Sequence, residues 1–217
     1  FKGYFEKYGD TTYSYFTNGI DDEFLNAKKE ISLKQENIID SRKKTILYAG
    51  NIGESQGLHI ILPSIAKEFE NQFEFLIFGD GGAKQKLVSS ISECGVSNIK
   101  IMNPINREIL IKEYQKADFL FLHLNKQKAF ERVLPSKLFE YGAFDKPVIA
   151  GVSGYAADFL KKEMMNCIVF DPGDSKGFVK EMIKYEYKEI ERKKFKNEFS
   201  RKLINIQIVK SIMSLRK

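Results

Sequence analysis

The sequence predicts an α/β fold: a Rossmann-like, doubly wound parallel sheet with helices on both faces, followed by a long C-terminal helix. From Thr45 onward, short apolar runs rich in Ile, Val, Leu and Phe alternate with amphipathic helix patterns. Repeated strand-then-helix units of this kind form parallel sheets covered by helices. At 217 residues, with 43% hydrophobic and 29% charged residues, the chain can bury the core that such a sheet requires.

Six runs have the length and apolar content of buried strands. They comprise residues 45–50, 73–79, 98–102, 117–124, 146–151 and 166–171. Helical patterns follow the strands. They fall near residues 57–70, 82–94, 106–116, 136–144, 154–162 and 174–185. The first is the clearest, because Leu58, Leu62, Ile65 and Phe69 share one helical face.

The two ends of the chain differ from this repeating core, which we place at residues 45–185. Residues 21–44 are predicted to be a polar linker, and residues 186–217 a C-terminal helical segment. Residues 187–214 are predicted to form one helix, because apolar residues recur on one face. These residues are Phe195, Phe199, Leu203, Ile206 and Met213. Their stripe must cover either the sheet or a neighbouring domain.

Basic charge is concentrated at the C-terminus. The net charge is +6, and residues 180–217 carry 12 basic against 5 acidic side chains, so the rest of the chain is close to neutral. A basic end of this kind fits peripheral contact with an anionic membrane, or simply a solvated helix face. Nucleic acid is not an expected partner, since aromatic and basic residues are not interleaved.

Cysteine usage and hydropathy indicate a cytoplasmic protein. Cys94 and Cys167 are the only cysteines, and they lack the spacing of a disulfide framework or a zinc site. The longest apolar run is too short to span a bilayer, and no signal-peptide pattern is present. We therefore expect a cytoplasmic location, with peripheral contact at the inner face of the cytoplasmic membrane left open.

Open parallel sheets bind ligands beyond the carboxyl ends of their strands, so the loops there are the candidate sites. Glycines let main-chain N–H groups approach a phosphate, and backbone groups after the third strand can hold a base. Tight turns and helix caps explain the same residues equally well. The spacing matches neither a dinucleotide fingerprint nor a P-loop. The candidates are Gly50, Asn51, Ile52, Gly53, Gly79, Asp80, Gly81, Asn103, Pro104 and Ile105.

The loop after the fourth strand leads into the sequence PSKLFEYGAFDKPVIAG. Pro135 and Ser136 have the character of a helix start. Lys137 in the first turn opposes the helix dipole, at a cost of roughly 0.3–1 kcal/mol, which favours an anion in the same site. Glu140 lies one turn later on the same side. The alternative is a solvated Lys–Glu pair.

Histidines provide weaker candidates. His123 ends a strand at the ligand-facing edge, and His59 lies at the start of the first helix. Neither belongs to a Ser-His-Asp or metal-ligating constellation.

In their order along the chain, these segments resemble the donor-binding C-terminal domain of GT-B-fold glycosyltransferases of family 4. The resemblance covers nearly the whole chain. It rests on YFTNGIDDEF, YAGNIGESQGL, FLIFGDGGAKQKL, ADFLFLHL, VLPSKLFEYGAFDKPVIAG and NCIVFDPGD. Bacterial transferases of surface polysaccharide synthesis (lipopolysaccharide, capsule), including L-fucosamine transferases, are the most similar. NGID resembles the interdomain junction, so residues 1–20 resemble the end of an acceptor-binding domain.

This resemblance implies a nucleotide-diphosphate sugar donor, UDP-linked, that is used with retention of configuration and without a metal or other cofactor. It implies that Glu140 binds the ribose hydroxyls as the second glutamate of a family motif. Arg132 stands where the first glutamate is expected, with Glu131 one place away.

The resemblance also implies where positive charge meets the diphosphate. The family often places an Arg and a Lys in and after the first glycine loop, where this chain has Asn51 and Gln56. Lys137 and Arg132 are therefore implied to supply that charge. Ser136 and Leu138, which flank Lys137, complete the implied contacts.

A saccharide or lipid-linked acceptor is expected to bind through an N-terminal domain, so the domain alone is expected to be inactive. Two alternatives share the architecture. One is a non-catalytic nucleotide-sugar-binding module, and the other is a GT-B-fold sugar-nucleotide epimerase. The NGID junction favours the transferase over the epimerase.

Overall fold

The structure is a computed structural model that describes residues 2–9, 13–27 and 42–215. Within these residues, six parallel strands form one sheet in the order β3-β2-β1-β4-β5-β6. They are β1 (Lys44–Ala49), β2 (Phe73–Phe78), β3 (Ile99–Met102), β4 (Phe119–His123), β5 (Val148–Gly151) and β6 (Cys167–Phe170). Each overlaps one predicted run, so the six predicted strands are confirmed.

The strand order creates a switch point between β1 and β4. The chain passes from β1 to β2 and β3 on one side, then returns to β4 on the other side of β1. Leu47 in β1 therefore lies opposite both Leu76 in β2 and Leu120 in β4. The loops that leave β1 and β4 diverge at this point, which opens a crevice at the carboxyl edge of the sheet.

Helices follow the strands throughout the described residues. They are α1 (Lys2–Phe5), α2 (Asp22–Leu25), α3 (Leu58–Glu68), α4 (Lys84–Cys94), α5 (Arg107–Lys116), α6 (Lys137–Gly142), α7 (Gly154–Glu163), α8 (Ser175–Lys184), α9 (Lys193–Glu198) and α10 (Arg201–Ser214). Two 3-10 turns occupy Glu6–Tyr8 and Lys128–Arg132.

The hydrophobic core consists of two clusters, one on each face of the sheet. On one face, Leu62 of α3 and Phe178 of α8 pack with Phe75 of β2. On the other face, Phe139 of α6 and Leu160 of α7 belong to the second cluster. The doubly wound parallel fold with helices on both faces is therefore confirmed.

The C-terminal helix is present, but it is shorter than predicted: residues 187–214 contain two helices rather than one. The break falls where the N-terminal segment pairs with the chain. The Ile20 N–H donates to the Phe199 carbonyl at 2.7 Å, and the Arg201 N–H donates to the Ile20 carbonyl at 2.9 Å. Ser200 then caps α10 by accepting from the Leu203 N–H at 3.3 Å.

The predicted apolar stripe divides at the same break. Phe195 and Phe199 pack together with ring centres 4.6 Å apart, and both contact Phe139 of the core. Beyond the break, Ile206 and Met213 are 43% and 55% exposed. Only the first half of the stripe covers this domain.

Part of the predicted linker packs on the domain. Residues 28–41 lie outside the described residues, whereas residues 22–25 form α2. Phe24 is buried, and its ring centre lies 6.3 Å from those of both Tyr114 and Phe144. The packed surface of the domain therefore begins before Lys44.

Candidate functional site

A cleft of about 520 Å³ opens at the carboxyl ends of β1, β2 and β3. Its walls come from the loops after these strands and from α6. Eight of the predicted contact residues line it together: Gly50, Asn51, Gly79, Asp80, Pro104, Ile105, Lys137 and Glu140. The cleft lies at the sheet edge where ligands of doubly wound folds bind.

Two larger clefts in the described residues lie elsewhere. One of about 570 Å³ is lined by Lys44, Phe73 and Phe119 at the amino ends of the strands. Another of about 810 Å³ lies between α2 and α10. Position in the fold, rather than volume, therefore identifies the candidate site, because neither larger cleft includes the glycine loops.

The first loop, which follows β1, and the second loop, which follows β2, pack so closely that their main chain forms one wall of the cleft. The Gly50 N–H donates to the Phe78 carbonyl at 2.8 Å, and the Ile52 N–H donates to the Asp80 carbonyl at 2.7 Å. A Cβ at Gly79 would lie 2.0 Å from the Gly50 oxygen, a distance that no side chain tolerates. Glycine at position 79 therefore allows the loops to meet.

Asn51 and Gln56 stabilise the first loop. The Asn51 amide donates to Gln56 Oε1 at 3.0 Å, and the Gly53 N–H donates to the same oxygen at 3.2 Å. The Tyr48 hydroxyl donates to the Asn51 carbonyl at 2.5 Å. Neither Asn51 nor Gln56 brings charge to the cleft, so any cation that binds a ligand there comes from another element.

Lys137 of α6 supplies such a cation. A Cβ at Gly50 would lie 2.9 Å from the Lys137 Nζ, so the ammonium lies directly against the first loop. It lies 5.9 Å from the ring centre of Tyr48 and 6.0 Å from that of Tyr141. Within residues 42–215 no carboxylate pairs with it, and burial lowers the Lys137 pKa, an effect that Glu140 partly offsets. A half-buried, unpaired ammonium is favourable for binding an anion.

Glu140 lies one turn beyond Lys137 and faces the same cleft. Its Oε2 accepts from the Tyr114 hydroxyl at 3.3 Å. Burial and the nearby carboxylate raise the pKa of Tyr114 well above its usual value, so this hydroxyl remains a donor. The described residues leave Oε1 unbonded, and it can accept from a ligand hydroxyl.

Arg132 and Glu131 do not line the cleft. Both are exposed on the 3-10 turn before α6. This turn packs on the start of α7: a Cβ at Gly154 would lie 2.4 Å from the Glu131 carbonyl oxygen. A role for either side chain at the cleft remains a prediction.

Six other predicted contacts also lie outside the cleft lining. The side chains of Ile52 and Leu138 are buried in the core, which leaves only their main chain for a ligand. Ser136 and Asn103 are exposed. Gly53 and Gly81 are close neighbours of lining residues.

Arg107 lines the cleft and was not predicted from the sequence. It is the first residue of α5, because Asn106 caps that helix by accepting from the Ile109 N–H at 2.9 Å. A cation in the first turn of a helix is the same signal that identified Lys137. Phe24 also reaches the cleft, from outside the repeating domain.

His123 connects three loops and does not line the cleft. The Gly173 N–H donates to Nε2 at 2.9 Å, so the proton is on Nδ1, which lies 2.6 Å from the Gln56 carbonyl and donates to it. Burial lowers the His123 pKa to about 4. The neutral ring therefore fixes the loops after β1, β4 and β6.

The His123 pKa predicts acid sensitivity. Below pH 6.5 the unfolded chain binds a proton that the folded chain excludes until about pH 4. Stability is therefore complete above pH 6.5 and is lost as the pH falls, at up to about 1.4 kcal/mol per pH unit and about 3 kcal/mol in all. Urea unfolding between pH 7 and pH 4 measures this loss. His123→Gln is expected to remove one proton from the pH dependence.

Sequence comparison places the chain in a family. The model of the family described as glycosyl transferases group 1 matches residues 29–202, most of the chain. The chain belongs to this family. WcaI of Escherichia coli (strain K12), named for colanic acid biosynthesis glycosyl transfer, is 32% identical over 107 residues, which are 49% of this chain and 26% of WcaI.

Solved structures share the fold of this domain. The structure of Anabaena Alr3699/HepE in complex with UDP and glucose matches 93% of this chain and 56% of its own, with a TM-score of 0.68 and 20% identity. Sucrose-phosphate synthase from Thermosynechococcus elongatus matches 99% of this chain and 56% of its own, with a TM-score of 0.69 and 14% identity. The chain thus spans about half the length of these structures.

The described residues were also compared with the requirements of a membrane-spanning helix and of a metal site. No helix there combines the length and the apolar character that crossing a membrane requires. Nor do these residues include three or more His, Cys, Asp and Glu side chains grouped to hold a metal ion.

Proposed function

We propose that this chain is the donor-binding domain of a retaining glycosyltransferase that uses a UDP-linked sugar without a bound metal in bacterial surface polysaccharide synthesis. One observation carries the proposal. Lys137 places against the first glycine loop an ammonium that no carboxylate of residues 42–215 pairs with, and Glu140 faces the same cleft from one helical turn away. A cation beside main-chain N–H groups suits a diphosphate, and a carboxylate suits a pair of hydroxyls.

The order of residues along the cleft supports a nucleotide. Lys137 lies against the first loop and one helical turn from Glu140, which accepts from Tyr114. Phe24 packs on Tyr114, and Arg107 lies over Phe24 with its guanidinium carbon 5.5 Å from the ring centre. This order fits diphosphate, ribose and base in turn.

The relatives support the donor and the biological role. The solved Alr3699/HepE structures are complexes with UDP and glucose and with UDP-glucose, and WcaI is named for colanic acid biosynthesis. We therefore assign UDP as the carrier and a surface polysaccharide as the product. Retention and metal independence rest on the resemblance to family 4.

Lys137 would act on the leaving group. As the bond between the sugar and the diphosphate breaks, negative charge accumulates on the diphosphate. A preorganised cation and the N–H groups of the glycine loop stabilise that charge more in the transition state than in the bound donor. The acceptor would bind through the part of the full-length protein that this domain lacks.

Glu140→Ala tests the ribose contact. We expect the variant to bind UDP about tenfold more weakly, which corresponds to the loss of one charge-assisted hydrogen bond. The variant and the wild type are expected to bind 2′,3′-dideoxy-UDP equally well, since that ligand lacks the hydroxyls. Isothermal titration calorimetry with both ligands measures the difference.

Glu108→Ala is the matched control, because this carboxylate also lies on a helix but is 81% exposed and pairs with Lys112. Unchanged UDP binding by Glu140→Ala would contradict the ribose assignment. A wild-type chain that binds neither UDP nor any other nucleoside diphosphate would contradict the proposed function.

A non-catalytic nucleotide-sugar-binding module is the second candidate. Asn51 and Gln56 bring no charge to the first loop, and Arg132 lies outside the cleft, so the site has fewer groups for catalysis than the resemblance implies. Assay of the full-length protein with a panel of UDP- and GDP-sugars and an acceptor distinguishes the two. Donor binding without transfer would favour the module.

We also propose that the basic C-terminal helix contacts the inner face of the cytoplasmic membrane. Ile206, Val209 and Met213 follow the i, i+3, i+7 spacing of one face of α10 and are exposed, with Lys202 and Lys210 on the same side. Flotation of the full-length protein with anionic liposomes, reversed by salt, is the expected result. Absence of salt-sensitive flotation would leave a solvated helix face.

A further inference from the structure

Arg107 lines the cleft and lies over the ring of Phe24, which packs on Tyr114, the hydrogen-bond partner of Glu140. Pro104, Ile105, Leu110 and Phe24 line the cleft around it. These side chains provide an apolar surface of the kind on which a flat, aromatic ligand packs. Arg107 is the cationic member of this group.

Two acidic side chains hold the Arg107 guanidinium without saturating it. Nη1 lies 3.6 Å from Asp21 Oδ2 and 3.3 Å from Glu23 Oε1, so both contacts are longer than a typical charge-assisted hydrogen bond. Asp21 also bonds Arg201 of α10 through its other oxygen. The Arg107 side chain is 52% exposed. Since a guanidinium has five N–H donors, several remain for a ligand in the cleft.

We infer that Arg107 contacts the edge of the nucleobase and selects a base with a carbonyl group there, such as uracil, over one with an amino group, such as cytosine. This inference rests on the proposed function, because it takes the cleft to hold a nucleoside diphosphate. Arginine only donates hydrogen bonds, so a carbonyl oxygen complements it. An amino group in the same place sets donor against donor, so the hydrogen bond between the guanidinium and the base is lost.

UDP and CDP test the inference, because their bases have nearly the same shape and differ at position 4, a carbonyl against an amino group, and at position 3, an N–H against a bare nitrogen. We expect the wild-type chain to bind UDP at least about tenfold more tightly than CDP, as one hydrogen bond to a charged group predicts. In Arg107→Ala the ratio is expected to fall close to one, mainly through weaker UDP binding. Calorimetry with both ligands gives the ratio.

Lys112→Ala is the matched control. This lysine lies on the same helix but pairs with Glu108 outside the cleft, and its variant is expected to keep the wild-type ratio. Arg107→Gln provides a second test, since glutamine keeps N–H donors without the charge. Its ratio is expected to lie between those of the wild type and Arg107→Ala. Thermal unfolding without ligand identifies variants that have lost the fold.

The outcomes separate the two proposals. A wild-type chain that binds no nucleoside diphosphate contradicts the proposed function. Wild-type binding without a preference for UDP over CDP contradicts only the role of Arg107. An Arg107→Ala variant that binds UDP and CDP more weakly by the same factor also contradicts only the role of Arg107, because it would indicate contact with the phosphates instead.

Discussion

Replacement of Arg192 by Ala is expected to lower the free energy of unfolding by about 3–5 kcal/mol, among the largest effects of a single substitution. Arg192 is 2% exposed, and its guanidinium donates to four main-chain carbonyls. These belong to Phe144, Lys146, Met165 and Asn166. Without the side chain, acceptors in the protein interior lose their donors and a cavity remains.

The location of these carbonyls explains the size of the effect. Two precede β5 and two precede β6, so Arg192 joins the starts of adjacent strands to the segment that leads into α9. Arg192→Lys keeps the charge, but three N–H donors on a single atom cannot reach all four carbonyls, and we expect an intermediate loss.

Lys193→Ala is the matched control for chemical denaturation. This neighbouring side chain is 78% exposed and pairs with Glu191 at 3.4 Å, so its loss is expected to change stability by less than about 0.5 kcal/mol. An Arg192→Ala variant within about 1 kcal/mol of the wild type would contradict the role of Arg192.

The strands were predictable because a parallel sheet buries both of its faces. Its strands are therefore continuous apolar runs, such as FEFLIF at Phe73–Phe78, which stand out from the amphipathic helices between them. The positions of the glycine loops followed from the same alternation, since each loop joins a strand to the next helix.

The C-terminus was mispredicted because its structure depends on distant residues. The helix breaks at Ser200 where Ile20 pairs with it, and no local periodicity reveals a partner 180 residues away. Arg192 was counted as part of a basic, solvated end for the same reason. Its neighbours Lys193 and Lys194 are exposed, and only the fold distinguishes the buried cation from them.

The site was predicted in part. Predictions from helix position and charge agreed with the cleft lining, whereas two residues added by resemblance lie outside it. Lys137 and Glu140 were found from helix position and charge, and the structure places both in the cleft. Glu131 and Arg132 were added by resemblance, and a 3-10 turn packed on α7 holds them outside it. Arg107 was missed although it carries the same local signal as Lys137, a cation in the first turn of a helix; its contacts with Asp21 and Glu23 join segments far apart in sequence.

Replacement of Lys137 by Met is expected to weaken UDP binding about 10²-fold and to slow sugar transfer by the full-length protein about 10²–10³-fold, the range for one preorganised charge-stabilising donor. Methionine retains the apolar stem of lysine and removes the charge. Uridine, which has no phosphates, is expected to bind the variant and the wild type alike. Calorimetry with UDP and uridine separates the loss of a phosphate contact from a general distortion of the cleft. Lys112→Met, on the outer side of α5, is the matched control.

The lowered pKa of Lys137 adds a pH dependence with a defined sign. A lysine attracts a diphosphate only while it is protonated, and burial lowers the pKa of Lys137 below that of an ordinary lysine. UDP affinity is therefore expected to be complete below the lowered pKa and to fall as the pH rises through it, whereas uridine affinity stays constant. The Lys137→Met variant is expected to lose this decline. A decline that persists in the variant would assign the titration to another group and would separate Lys137 from the diphosphate.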